Sequence, residues 1–254
     1  MPPLLHKNAT GMGALVVDVG LHKGGEFFHA IDNGFEVVGF EPNPQTFPTL
    51  AKQCMEKPKC NIVDLEKVTL PLQREPGHSY LINAGAANKK TVLEFSMAQD
   101  TSSFVSSKGL SKKKKVDVPV VRVDDIIRDD IYLLKVDTQG YDQFVIEGAS
   151  EIFKNHVVRQ VIVEIDPFNL MANNLSVHGF LEVLQSNGMM CFTARSDVTK
   201  KKHCRYFGDS VEGFEVVFDG KPGYSQQWAD CFEDFLCLNT EKIYPGKFPE
   251  SLFH

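Results

Sequence analysis

Three acidic residues, Asp18, Glu41 and Asp137, stand at the ends of short apolar runs rich in β-branched residues. A carboxylate at the end of a buried strand is costly unless it meets a partner. In an open α/β sheet, ligands bind outside the carboxyl ends of the strands, where the strand order reverses. Asp18 lies in Val-Val-Asp-Val-Gly, with Gly24 and Gly25 behind it. Gly20 and Gly24 allow backbone to approach a ligand where a Cβ would clash. Glu41 ends the next run, the place from which an acid accepts both hydroxyls of a ribose. It opens the turn Glu41-Pro42-Asn43-Pro44, and Asn43 is a further candidate contact to the same ligand. Asp137 precedes Thr138-Gln139-Gly140. There it can orient a hydroxyl, accept its proton or hold a divalent cation, or it can simply fix the loop and cap the helix that follows. His22, inside the glycine loop, is a second candidate base, against the commoner fate of a loop histidine facing water. Glu164 and Asp166 end another apolar run and are candidates to join Asp137.

The ligand follows from these types. A dinucleotide fingerprint wants G-x-G-x-x-G facing a pyrophosphate, whereas these glycines read G-x-x-x-G-G. An acid two residues before the first glycine repels a pyrophosphate and suits a cation such as a sulfonium bearing an α-amino group. S-adenosylmethionine is therefore the expected cofactor. A nucleotide-dependent oxidoreductase is one alternative, and a module that binds this donor without turnover is another. No spacing supports a metal beyond a divalent cation at an oxygen-rich site. The net charge of −6 argues against a nucleic-acid partner. No apolar run has membrane-spanning length. The start is not a signal peptide, and a cytoplasmic protein acting on a small-molecule acceptor is expected, with the oligomeric state left open. The six cysteines show no zinc spacing, and reduced, mostly buried thiols are expected in a chain this long.

These residues need a scaffold. Strands are expected over 14–19, 36–40, 79–83, 91–97, 116–123, 131–136 and 157–165. Helices are expected over 26–33, 45–55, 142–153 and 177–187. The stretch 57–77, with three prolines and no clean period, reads as irregular with one short element. The lysines 112–115 read as a solvated loop. Segments 214–218 and 235–238 read as an antiparallel pair at the sheet edge. The alternation points to a parallel sheet with helices on both faces, in one domain spanning 1–254 with a core of about 14–240.

The stretches VVDVGLHKGGEF, VVGFEPNPQTFPTL, INAGAANKKTVLEF, VPVVRVDDII, YLLKVDTQGYDQFVIEGA and VIVEI, in that order over roughly 14–166, resemble the FkbM family of methyltransferases. The resemblance implies a Rossmann-like class I methyltransferase fold with a seven-stranded, mostly parallel sheet. It implies S-adenosylmethionine as donor and O-methylation, often of sugar or polyketide hydroxyls. Ser102 and Ser103 match a serine-bearing loop common in the family and are candidate donor contacts. The chain departs from the family in Gly-Leu-His-Lys-Gly, where Gly-Ala-Asn-x-Gly is commoner, and at Gln139, where many members carry Glu.

Overall fold

The computed structural model describes residues 13–97, 114–193, 204–207, 215–218, 233–239 and 242. Ser102 and Ser103 lie outside the described residues. The chain alternates strand and helix at first: β1 (Leu15–Val19), α1 (Gly25–Asp32), β2 (Glu36–Phe40), α2 (Phe47–Met55), β3 (Cys60–Val63) and β4 (Ser79–Ile82). A small sheet follows from β5 (Gly85–Ala86), β6 (Thr91–Met97) and β7 (Lys114–Val121), then α3 (Val123–Ile126). The second half holds β8 (Ile131–Val136), α4 (Asp142–Glu147), α5 (Ser150–Asn155), β9 (Val158–Ile165), α6 (Pro167–Ala172) and α7 (Val177–Ser186). It ends with β10 (Met189–Thr193), β11 (Cys204–Phe207), β12 (Glu215–Phe218) and β13 (Glu233–Asn239).

The main sheet runs β10-β13-β9-β8-β1-β2-β4-β3. It is parallel except at β13, which runs antiparallel to both β9 and β10. The fold is the expected Rossmann-like α/β architecture, with one strand more than the expected seven because β3 extends the edge. All five residues of β1 and of β2 are buried, as strands covered on both faces must be. Val17, Val19, Leu134 and Val136 pack in one layer with residues of α4, α5 and α7. Val16, Val37 and Leu133 pack in the other, against Phe27 and Ala30 of α1 and Leu50 of α2. The strand order turns at β1: β2 follows it on one side and β8 lies on the other. The loops after β1, β2 and β8 therefore share one edge, and they are the loops that carry the candidate residues.

Several expectations need correction. The helix expected over 142–153 breaks into α4 and α5 around Gly148. A Cβ on Gly148 would lie 2.1 Å from the carbonyl oxygen of Ala87, so the small sheet pressing on this point demands glycine. Segments 214–218 and 235–238 do not pair with each other: β12 pairs with β11, and β13 inserts between β9 and β10. Lys114 and Lys115 belong to β7, and Lys115 Nζ binds Glu94 Oε1 at 2.6 Å. Four of the six cysteines expected as thiols form two disulfides, Cys54–Cys60 and Cys191–Cys237. The second joins directly opposed residues of β10 and β13, and the first joins α2 to β3. The irregular stretch 57–77 is held down by Arg74, whose guanidinium meets Glu36 Oε2 at 2.8 Å and Asp129 Oδ2 at 3.1 Å.

Candidate active site

Glu41 leaves the end of β2, where its N–H continues the ladder to the Ile82 carbonyl at 3.1 Å. The side chain turns back beneath the first loop. The backbone N–H of His22 donates to Oε2 and that of Asn43 to Oε1, each at 2.8 Å. Each carboxylate oxygen has two lone-pair sites, so each keeps one site after these bonds. That arrangement fits the paired hydroxyls of a ribose. Glu41 is 5% exposed, and burial pushes its carboxyl up to about 7 against the pull of the two backbone donors, with the Asp18 charge adding to the rise. His22 serves here through its backbone, at φ 50, while its side chain is exposed. Asn43 builds the turn: its N–H holds Glu41, and its Oδ1 accepts from the Gln45 N–H at 2.9 Å.

Gly20 and Gly24 owe their glycine to neighbours within the chain. Gly20, at φ +90, faces the Asp137 carbonyl oxygen, which an added Cβ would approach to 1.9 Å. Gly24, at φ +75, packs on Leu50 and Phe28. The close approach at Gly20 brings the loop after β1 directly against the loop after β8, and so sets the Asp18 and Asp137 sides beside each other.

Asp18 is 2% exposed. Its Oδ1 accepts from Lys135 Nζ at 3.2 Å, and the same ammonium lies 3.5 Å from the Gly20 carbonyl and 3.9 Å from Asp137 Oδ2. Burial pushes the Asp18 carboxyl up, and Lys135 opposes that rise. Burial also works against the charge on Lys135, but Asp18, Asp137 and Glu26 outweigh it and hold the ammonium above its ordinary range. Lys135 escapes sequence reasoning because the run Ile131–Val136 counts as apolar. The available signal is its parity: it lies two residues before Asp137, hence on the same face, and it is paired in register with Asp18.

On the other side, Gln139 sits at φ 54, where a non-glycine residue is strained. Its Nε2 donates to Asp137 Oδ1 at 3.1 Å and to Glu164 Oε2, bridging the two acids. Burial pushes Glu164 up to about 8, and the charge of Asp137 adds most among its neighbours. The expected partnership of Glu164 with Asp137 therefore exists, through Gln139. Asp166 instead accepts from the backbone N–H and side-chain amide of Asn169 at 3.2 and 2.8 Å. The fixing role considered for Asp137 falls to Asp142. Its carboxylate accepts from the N–H groups of Thr138 and Gly140 at 3.0 and 2.9 Å. Among the described residues no group of three or more His, Cys, Asp or Glu side chains is set to hold a metal ion. No helix among them is long and apolar enough to cross a membrane.

Residues 18–189 match the model of the methyltransferase FkbM domain. No curated protein matches the chain. Among solved structures, the methyltransferase FkbM from Methylobacillus flagellatus KT is 14% identical, with a TM-score of 0.44, and the match covers 89% of this chain. The chain spans only 43% of the length of that protein. A putative methyltransferase from Streptococcus mutans, in complex with SAH, is 7% identical with a TM-score of 0.44, over 92% of this chain and 93% of that one. An rRNA methylase from Streptococcus thermophilus is 10% identical with a TM-score of 0.42, over 92% of each chain. The family match spans the loops that carry Asp18, Glu41, Asp137 and Glu164, and the chain belongs to the methyltransferase FkbM domain family.

Proposed function

We propose that the chain transfers the methyl group of S-adenosylmethionine to a hydroxyl oxygen of a small molecule, with a sugar or polyketide hydroxyl as the class the family resemblance implies. The observation that carries the reading is the Glu41 carboxylate, buried, fixed by two backbone donors and left with one acceptor site on each oxygen. Asp18 and the loop from Gly20 to Gly24 hold the amino-acid end of the donor, and Asn43 and His22 shape the turn around its nucleoside.

The donor supplies an electrophilic methyl carbon with a good leaving group. Positioning therefore contributes most of the acceleration. The hydroxyl oxygen attacks that carbon, the carbon–sulfur bond breaks to leave a neutral thioether, and the hydroxyl proton goes to a carboxylate. Asp137 is the base in this scheme. Its side chain is 39% exposed, so an acceptor can reach it, and Gln139 donates to it from the side.

Calorimetry with S-adenosylhomocysteine tests the donor side. Glu41→Ala removes charged hydrogen bonds and should weaken binding roughly ten- to a hundredfold; binding as tight as wild type refutes the assignment. Labelled donor with a library of hydroxylated acceptors tests the chemistry. With an acceptor in hand, Asp137→Asn should lower turnover by about 10²–10⁴-fold and leave donor affinity nearly unchanged. Donor binding with no acceptor methylated across the library would favour a binding module.

A further inference from the structure

We propose that Lys135 binds the α-carboxylate of the donor, and that it forms with Asp18 a paired cation and anion matched to the zwitterionic amino-acid tail. The inference rests on the donor reading above and adds to it a specificity-determining residue. The nucleoside end of the donor has its anchor at Glu41 on β2. β1 and β8 follow in the sheet, and neighbouring strands stand about 4.8 Å apart. A donor seated on Glu41 therefore carries its tail across the end of β1 toward β8, where Lys135 stands.

The tail ends in an ammonium and a carboxylate. Asp18 and the Gly20 carbonyl are acceptors suited to the ammonium. The carboxylate needs a donor, and it enters a region where Asp18, Glu26 and Asp137 all act on the same ammonium. Without a cation it would be repelled. An ammonium has three N–H donors. That of Lys135 meets Asp18 Oδ1 at 3.2 Å and the Gly20 carbonyl at 3.5 Å, while Asp137 Oδ2 at 3.9 Å lies beyond hydrogen-bond distance. Among the described residues one donor is thus left for a ligand oxygen. The side chain is 17% exposed, so it is not sealed from a ligand. A lysine present only to neutralise Asp18 would give the same ion pair. It would not make affinity depend on the ligand's carboxylate.

Three ligands separate these roles by calorimetry: S-adenosylhomocysteine, its decarboxylated analogue that keeps the amine, and methylthioadenosine, which lacks both charged groups. Wild type should bind S-adenosylhomocysteine at least about tenfold tighter than the decarboxylated analogue. In Lys135→Met that preference should shrink to within about twofold, and Lys135→Arg should restore most of it. Equal binding of the two ligands by wild type, with methylthioadenosine also bound, overturns the role of Lys135 and leaves the donor reading standing. Equal weakening of both ligands in Lys135→Met also overturns it, since that is the mark of a lysine needed only for Asp18. If wild type binds none of the three, the donor reading itself falls and the inference with it. Should Lys135→Met fail to fold, the wild-type comparison and Lys135→Arg still decide the matter.

Discussion

At the scale of single residues, burial holds the carboxyls of Asp18, Glu41 and Glu164 away from their solution behaviour. Glu41 is the clearest case, pushed up to about 7 by burial. In the donor-free protein it is therefore largely protonated below that pH. Accepting two ribose hydroxyls requires the ionised form, so the donor binds the state that prevails above pH 7. The sign is fixed by linkage: affinity rises with pH and falls about tenfold per unit below the folded value. S-adenosylhomocysteine should bind roughly tenfold tighter at pH 8 than at pH 6, and Glu41→Gln should flatten the profile. An unchanged slope in Glu41→Gln would move the titration to another group, with Asp18 the nearest buried acid. The chemistry-bearing acids Asp18, Glu41, Asp137 and Glu164 are legible in the sequence because each interrupts or ends an apolar run. Lys135 is not, because a lysine inside such a run looks like a solvated stem until the register places it beside Asp18.

At the scale of elements, the segment between β8 and α4 decides whether Asp137 and Glu164 can act together. Asp142, 1% exposed, closes it by accepting from Thr138 and Gly140. Asp142→Ala leaves two backbone donors without their acceptor and should cost about 1–3 kcal/mol of stability, read as a lower denaturation midpoint with an unchanged slope. Turnover should fall in the folded fraction as well, because Gln139 is held at its strained φ by this loop. Full activity in that fraction would show that the loop keeps its shape without the carboxylate. The strands β1, β2, β8 and β9 can be read from composition because a parallel sheet leaves near-continuous apolar runs. The break between α4 and α5 cannot, since only the approach of Ala87, from a distant part of the chain, makes Gly148 more than a tolerated residue. The placement of β13 is hidden for a similar reason: an antiparallel strand inserted between β9 and β10 leaves no local mark of its neighbours.

At the scale of the whole molecule, the sheet is secured by contacts that join distant stretches. At the start of the interior strand β2, Arg74 pairs with Glu36, the two side chains 13% and 9% exposed. Removing one partner of a buried pair leaves an uncompensated charge, so Arg74→Ala should cost about 3–5 kcal/mol, measurable by chemical denaturation. At the β10 edge the Cys191–Cys237 disulfide ties β10 to β13 across a sequence separation of 46. Closing a loop of that length restricts the unfolded chain by about 4 kcal/mol in the chain-entropy account. The shorter Cys54–Cys60 bridge, with a separation of 6, should contribute about 2 kcal/mol on the same account. Sequence cannot reveal these pairings, because a thiol and half a cystine are the same letter and only the register sets Cys191 opposite Cys237. Mass spectrometry without reductant should find both bridges in protein purified from its native source. Reductant should then lower the melting temperature, and Cys237→Ser should reproduce the larger part of that loss. Free thiols at Cys191 and Cys237 in the native protein, or a melting temperature indifferent to reductant, would remove the cystines from the account of stability.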